Sequence, residues 1–216
     1  MGIIKPLSNF GQRIALNIFA DCNVEGTENV PPIGSLIIVS NHQSTVDPSL
    51  ISTFIPRPTK FLAKKSLFKG PIFSAFLNSY GAFPLDRSTS DARAFRWALQ
   101  QLSIDQAIVL FPEGTRSLSG LKKANTGVTR LALKSNSAIL PVGITGTEKL
   151  GSVMRVLNPT GKIRINIGAP FSLPNIDGRP SKEVLTSLTD MIMERIAFLL
   201  PREYRGVYDM RNEANS

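Results

Sequence analysis

The chain has 216 residues, 42 % of them hydrophobic and 19 % charged, which suits one globular domain and excludes a disordered polymer. Its single Cys and single His exclude an internal disulfide and leave too few ligands for a zinc site, so a reducing compartment and no metal are expected. A formal net charge of +9 points to anionic partners, but the cations are scattered and no RNA-stacking signature accompanies them, which favours lipid headgroups or phosphorylated substrates over nucleic acid.

Residues 3–20 read as an amphipathic helix in which Ile3, Leu7, Phe10, Ile14 and Ile18 recur at spacings of three and four. Such a stripe either caps the core or lies in a membrane interface, and the spacing leaves both open. Pro6 falls in the first turn, where it costs little. The loop ENVPPIGS leads to a buried strand, SLIIVS, ending at Ser40. Asp47-Pro48 then reads as a helix start, with Asp as the cap and Pro at the first helical position. Further on, the pattern predicts a strand at 60–63, an apolar helix around 66–79 and a strand at 81–85. A helix from its cap Asp91 to Leu102 follows, then a strand at 107–111 and a helix at about 126–135. Strands at 138–144 and 162–168 and a helix at 181–199 complete the body. Pro141 inside a strand marks an edge strand or a strand start. From Pro201 the tail is polar and reads as partly loose. Alternating strands and helices give an α/β domain whose sheet is covered by helices. No stretch reaches the roughly 18 residues needed to span a bilayer, and no signal-peptide pattern opens the chain. A cytoplasmic protein with peripheral membrane contact is expected.

Three segments place polar residues after strands, where sites in α/β sheets lie. In NHQSTVD, Asp47 can fold back across a turn to His42, fix its tautomer and leave the other ring nitrogen as a base. The same residues also fit a surface His beside a helix cap. In FPEGTRS, residues 111–117, Gly114 permits close backbone approach and Arg116 offers a planar fork for phosphate oxygens. In GAFPLDR, residues 81–87, Arg87 offers a second phosphate ligand; an exposed turn with ion pairs fits both loops as well.

Together with ILPVGI at 139–144, these segments resemble, in order and spacing, the four conserved blocks of the glycerolipid acyltransferase family that contains the 1-acyl-glycerol-3-phosphate acyltransferases. FPEGTRS matches over all seven residues. The resemblance implies a central mixed sheet covered by helices, as in glycerol-3-phosphate acyltransferase, with an amphipathic helix at 1–20, a catalytic domain at 21–200 and a polar tail at 201–216. It implies that His42 is the general base and Asp47 orients it. Arg87, Glu113, Gly114, Thr115 and Arg116 would bind the acceptor and its phosphate. Lys64, or the adjacent Lys65, would lie near the developing oxyanion, although Ser66 stands where the family often has Glu. The implied reaction moves a fatty acyl group from acyl-CoA or acyl carrier protein to the sn-2 hydroxyl of lysophosphatidic acid, giving phosphatidic acid. The thioester is a co-substrate, and no bound cofactor is expected. Ser44 is not needed as a nucleophile, so no acyl-enzyme is expected. Membrane lipids would be partners, at the inner face of the cell membrane. The alternatives are acylation of glycerol-3-phosphate or another lysophospholipid, and a catalytically idle lipid-binding protein.

Overall fold

Every residue of Leu36–Ser40 is buried, so this strand needs cover on both of its faces. The structure, a computed structural model, describes residues 3–86, 91–176 and 178–209 and shows that cover. In chain order the elements are α1 (Ile4–Phe19), β1 (Ala20–Glu25), β2 (Leu36–Ser40), α2 (Asp47–Phe54), β3 (Thr59–Lys64), α3 (Pro71–Tyr80) and β4 (Ala82–Leu85). They continue with α4 (Ala92–Leu102), β5 (Ala107–Leu110), α5 (Gly127–Ser135), β6 (Ala138–Thr145), β7 (Gly161–Ile167) and α6 (Lys182–Phe198). The strands form one sheet in the order β1-β7-β6-β2-β5-β3-β4.

Leu36 and Ile38 point into a cluster with Leu16 of α1 and Leu50 and Ile51 of α2. Ile37 and Val39 join the opposite cluster, with Ala98 and Leu102 of α4, Leu131 of α5 and Ile192 and Ile196 of α6. The period-two alternation of one strand thus feeds two cores, one on each side of the sheet. All neighbouring strands pair parallel except β6 and β7, which are antiparallel. Hence β6, β2, β5, β3 and β4 share a direction, and their carboxyl ends collect at one edge. The expected mixed α/β sheet is present.

Several local expectations are corrected. Pro141 sits in β6, which has neighbours on both sides, so it marks neither an edge nor a strand start. It is tolerated because the ladder to β7 slips there. Ile139 pairs with Phe171 but Val142 pairs with Ile167, so residues 168–170 bulge opposite 140 and 141. Helix α3 begins at Pro71 rather than near 66, since Gly70 takes a positive φ of 77° and Pro71 fits the first helical turn. Strand β1 was not expected; its alternation of half-buried and exposed residues at the sheet edge leaves only Ala20, Cys22 and Val24 as apolar markers. Asp91 does cap α4, accepting from the amides of Arg93 and Ala94. Of the tail expected to be partly loose, residues 201–209 form two short 3₁₀ turns against the domain, and the rest lies outside the described residues.

The largest surprise is the orientation of α1. Its apolar stripe faces outward, with Phe10 62 % and Ile18 65 % exposed, while Lys5, Gln12, Ala15 and Leu16 are buried. Polar side chains make the seat on α2. Asn9 donates to the Ser52 carbonyl at 2.8 Å, Gln12 donates to the Ser49 hydroxyl at 2.9 Å and accepts from Thr53, and Arg13 donates to the Thr53 carbonyl. Lys5 donates to Thr59 and lies over the rings of Phe61 and Tyr80. Burial, with the nearby Lys60 charge, pulls the Lys5 ammonium down to about 8 from 10.5. Between those values the unfolded chain binds the proton that the folded chain has lost, so stability rises with pH there. Urea melts of wild type and Lys5→Met should therefore show the wild type gaining on the variant as pH climbs from about 8 toward 10.5. A pH-independent difference would mean that Lys5 is not held in this low-dielectric seat.

Candidate active site

Where β2 ends, Asn41 continues its ladder with a side chain. Its amide donates to the Ile144 carbonyl at 2.7 Å and accepts from the Ile144 amide at 2.8 Å, tying the strand end to β6. The next residue, His42, is held by its backbone to the loop after β5. The His42 amide donates to Glu113 Oε1 at 3.2 Å, and the Ser117 amide donates to the His42 carbonyl at 2.7 Å. Its ring stacks on Phe111 with centroids 4.2 Å apart. Nδ1 lies 2.8 Å from Asp47 Oδ2, and Nε2 has no hydrogen bond among the described residues. The His42 side chain is 11 % exposed, so the ring is nearly buried.

Asp47 does not cap α2. It is the first helical residue, Pro48 is the second, and Val46 occupies the cap. The fully buried carboxylate turns back into the 42–44 turn instead. Oδ2 accepts from the Gln43 and Ser44 amides at 2.7 Å each, as well as from His42. Oδ1 accepts from the Thr147 hydroxyl at 2.7 Å. Four donors on one buried carboxylate are what burial of that charge requires. Thr147, itself fully buried, is the residue that sequence reasoning missed. It stands 100 positions from Asp47 and no spacing links them. Gly146 brings it there at φ +84°, where a Cβ would strike the Lys162 carbonyl. The Ser44 hydroxyl is spent on the Leu150 carbonyl in a fully buried position.

The other expected site residues divide into inner and outer groups. Glu113, read from sequence as a phosphate or acceptor contact, is instead 5 % exposed and faces inward. Its two oxygens accept from the His42 and Lys122 amides, so it joins the histidine turn to its own loop. Burial pushes its carboxyl up, and those amides pull the other way. Gly114 takes φ +69° at the turn. Thr115 and Arg116 are exposed on the outer side of the loop, and Lys64 and Lys65 are exposed at the end of β3, on the same sheet edge. Arg87 lies outside the described residues. No cluster of three or more His, Cys, Asp or Glu suited to a metal occurs among the described residues.

The loop that carries Glu113 is fixed from behind by 201–209. The Leu121 amide donates to the Tyr204 carbonyl, the Val207 amide donates to the Leu121 carbonyl, and Tyr208 joins the Ala124 amide to Asp190. The backbones meet at Gly120 and Gly206, where a Cβ on Gly206 would collide with Leu121. In all, three adjacent central strands deliver the base, the loop beneath it and the threonine behind it. This arrangement can accept a proton at His42 Nε2 and hold the resulting imidazolium against Asp47.

Residues 21–145 match the family model described as Acyltransferase. The chain is 26 % identical over 185 residues to the 1-acyl-sn-glycerol-3-phosphate acyltransferase of Bacillus subtilis, covering 85 % of this chain and 90 % of that one. It is 32 % identical over 165 residues to a chloroplastic 1-acyl-sn-glycerol-3-phosphate acyltransferase of Arabidopsis thaliana, covering 73 % of this chain and 46 % of that longer one. Among solved structures it resembles the 1-acyl-sn-glycerophosphate acyltransferase PlsC of Thermotoga maritima, with a TM-score of 0.70 and 31 % identity over 89 % of this chain and 77 % of that one.

Thr147→Val should leave Asp47 Oδ1 without its donor and cost about 1–3 kcal/mol of stability in a urea melt, while Thr147→Ser keeps the bond and stays near wild type. Equal stability of Val and Ser variants would remove Thr147 from the support of the pair.

Proposed function

This chain belongs to the acyltransferase family, and from that premise we propose that it transfers a fatty acyl group from an acyl thioester to the sn-2 hydroxyl of 1-acyl-glycerol-3-phosphate, giving phosphatidic acid. The observation that carries the reading is the His42–Asp47 pair, with Nε2 left open at the carboxyl edge of the sheet. In this reading His42 Nε2 takes the proton of the acceptor hydroxyl as its oxygen attacks the thioester carbonyl. The C–S bond then breaks, and the imidazolium returns the proton to the departing thiolate. Asp47 keeps Nδ1 protonated and stabilises the cation between the two steps. The nucleophile is the substrate's own hydroxyl, which agrees with a Ser44 hydroxyl already committed to Leu150.

Arg116 and Thr115, exposed on the outer face of the Phe111–Ser117 loop, are assigned to the acceptor phosphate, and Arg87 after β4 is assigned to the same anion. Holding the phosphate there orients the hydroxyl toward His42 and supplies proximity. Lys64 is assigned to the tetrahedral oxyanion. Glu113 acts one step back, by fixing the His42 backbone. The donor is acyl-CoA or acyl carrier protein, used as a co-substrate.

The acceptor's acyl chain belongs in a bilayer, and no helix among the described residues is long and apolar enough to cross one. We assign bilayer contact to the outward stripe of α1 together with α3, which packs against it and exposes Ile72 at 87 %. An interfacial helix buries such a face in the headgroup region without spanning. In this reading the chain is a peripheral protein of the inner membrane face.

Lysophosphatidate and glycerol-3-phosphate offered against both thioester donors test the reaction directly; lysophosphatidate should be the preferred acceptor. His42→Ala should lower kcat by about three orders of magnitude or more with the fold retained. Arg116→Ala should chiefly raise the acceptor KM. Turnover that survives in folded His42→Ala would sink the assignment. For the membrane surface, Phe10→Ser/Ile14→Ser should abolish co-sedimentation with anionic liposomes; unchanged sedimentation would move the contact elsewhere.

A further inference from the structure

At the opposite edge of the sheet, where α5 ends and β6 begins, a cavity of about 960 Å³ opens between α5, residues 173–176 and 178–180, and the start of α6. Arg130, Lys134, Arg179 and Lys182 line it. No acidic residue lines it among the described residues. Among the described residues none of the four cationic side chains makes a hydrogen bond or ion pair, so four positive charges from three segments share one hollow; Asp177, between Ile176 and Gly178, lies outside the described residues. Two of these placements work against their own helices. Arg130 and Lys134 are like charges one turn apart on α5, a repulsive spacing, and Lys182 is the first residue of α6, at the positive end of its dipole.

An anion in the cavity would turn each of those costs into a gain. Two guanidinium forks, from Arg130 and Arg179, offer phosphate oxygens the donors they favour, while the Val184 amide in the first turn of α6 is already taken by the Ser181 side chain. Ser137, which also lines the cavity, is 2 % exposed and its hydroxyl has no partner among the described residues. Phe95 adds an aromatic wall. The volume lies in the range of small-molecule and cofactor sites, roughly 300–1,000 Å³.

We propose that this cavity is a second anion site, separate from the catalytic edge, which binds a phosphate-bearing ligand. The shared chemistry is a phosphate or diphosphate group, carried by a nucleotide or by a glycerophosphate. Because α5 leads from the catalytic loop to this cavity, the ligand would grip the far end of an element that also borders the active site.

Isothermal titration of the full chain with inorganic pyrophosphate, ADP and sn-glycerol 3-phosphate tests it. At least one probe should bind saturably, with the same affinity in His42→Ala and Arg116→Ala. Binding should weaken by about tenfold or more in Arg130→Gln/Lys182→Gln, whose changes are at exposed positions and leave both cores untouched. Tighter binding of ADP than of pyrophosphate would identify a nucleotide; tighter binding of glycerol phosphate would identify a lipid-type headgroup. The proposal is overturned if no probe saturates. It is equally overturned if binding disappears in Arg116→Ala and persists in the Gln double variant, since the anion then sits at the catalytic edge.

Discussion

The fully buried Asp47 carboxylate is the constraint on which the active edge depends. Its four donors come from the turn after β2 and from the segment after β6, so one charged group sets the histidine tautomer, the turn and the spacing of two strand ends. A buried charge of this kind is stable only when fully satisfied, and partial loss of its partners costs more than any single hydrogen bond between neutral groups. Around it the neighbouring contacts follow a single logic. Asn41 locks β2 to β6, and Glu113 locks the histidine turn to the loop after β5. The His42 ring, whose Nε2 has no hydrogen bond among the described residues, is thus held by a rigid polar network.

The two surfaces of α1 divide the remaining tasks. A helix with an apolar stripe would ordinarily bury it, yet here hydrogen bonds to Ser49, Ser52, Thr53 and Thr59 hold the opposite face. Polar seats give direction, because a rotated helix would leave those buried donors and acceptors unpaired. The stripe is consequently presented outward in a defined orientation.

Much of this was legible in the sequence because buried parallel strands read as apolar runs, as SLIIVS and AIVLF do, and because the helices between them have their own period. His42 and Asp47 were legible as a pair, since five residues can close a turn. The parts that escaped have physical reasons. Periodicity locates the stripe of α1 but cannot say which way it faces when the other face finds polar partners. Thr147 escaped because its link to Asp47 is created by sheet order alone. Glu113 reads as a surface charge in any loop, and only the amides folded onto it reveal an inward role. Pro141 looked like an edge because a sequence does not display the bulge opposite it.

The clamp formed by 201–209 on Leu121 and Ala124 has a consequence for biogenesis. Translation delivers α1 some 180 residues ahead of this clamp. The outward stripe of α1 is thus made well before the loop beneath the histidine can be fastened. The catalytic edge is therefore completed only when that segment has emerged, and a chain cut short before residue 201 would carry its histidine over an unbraced loop.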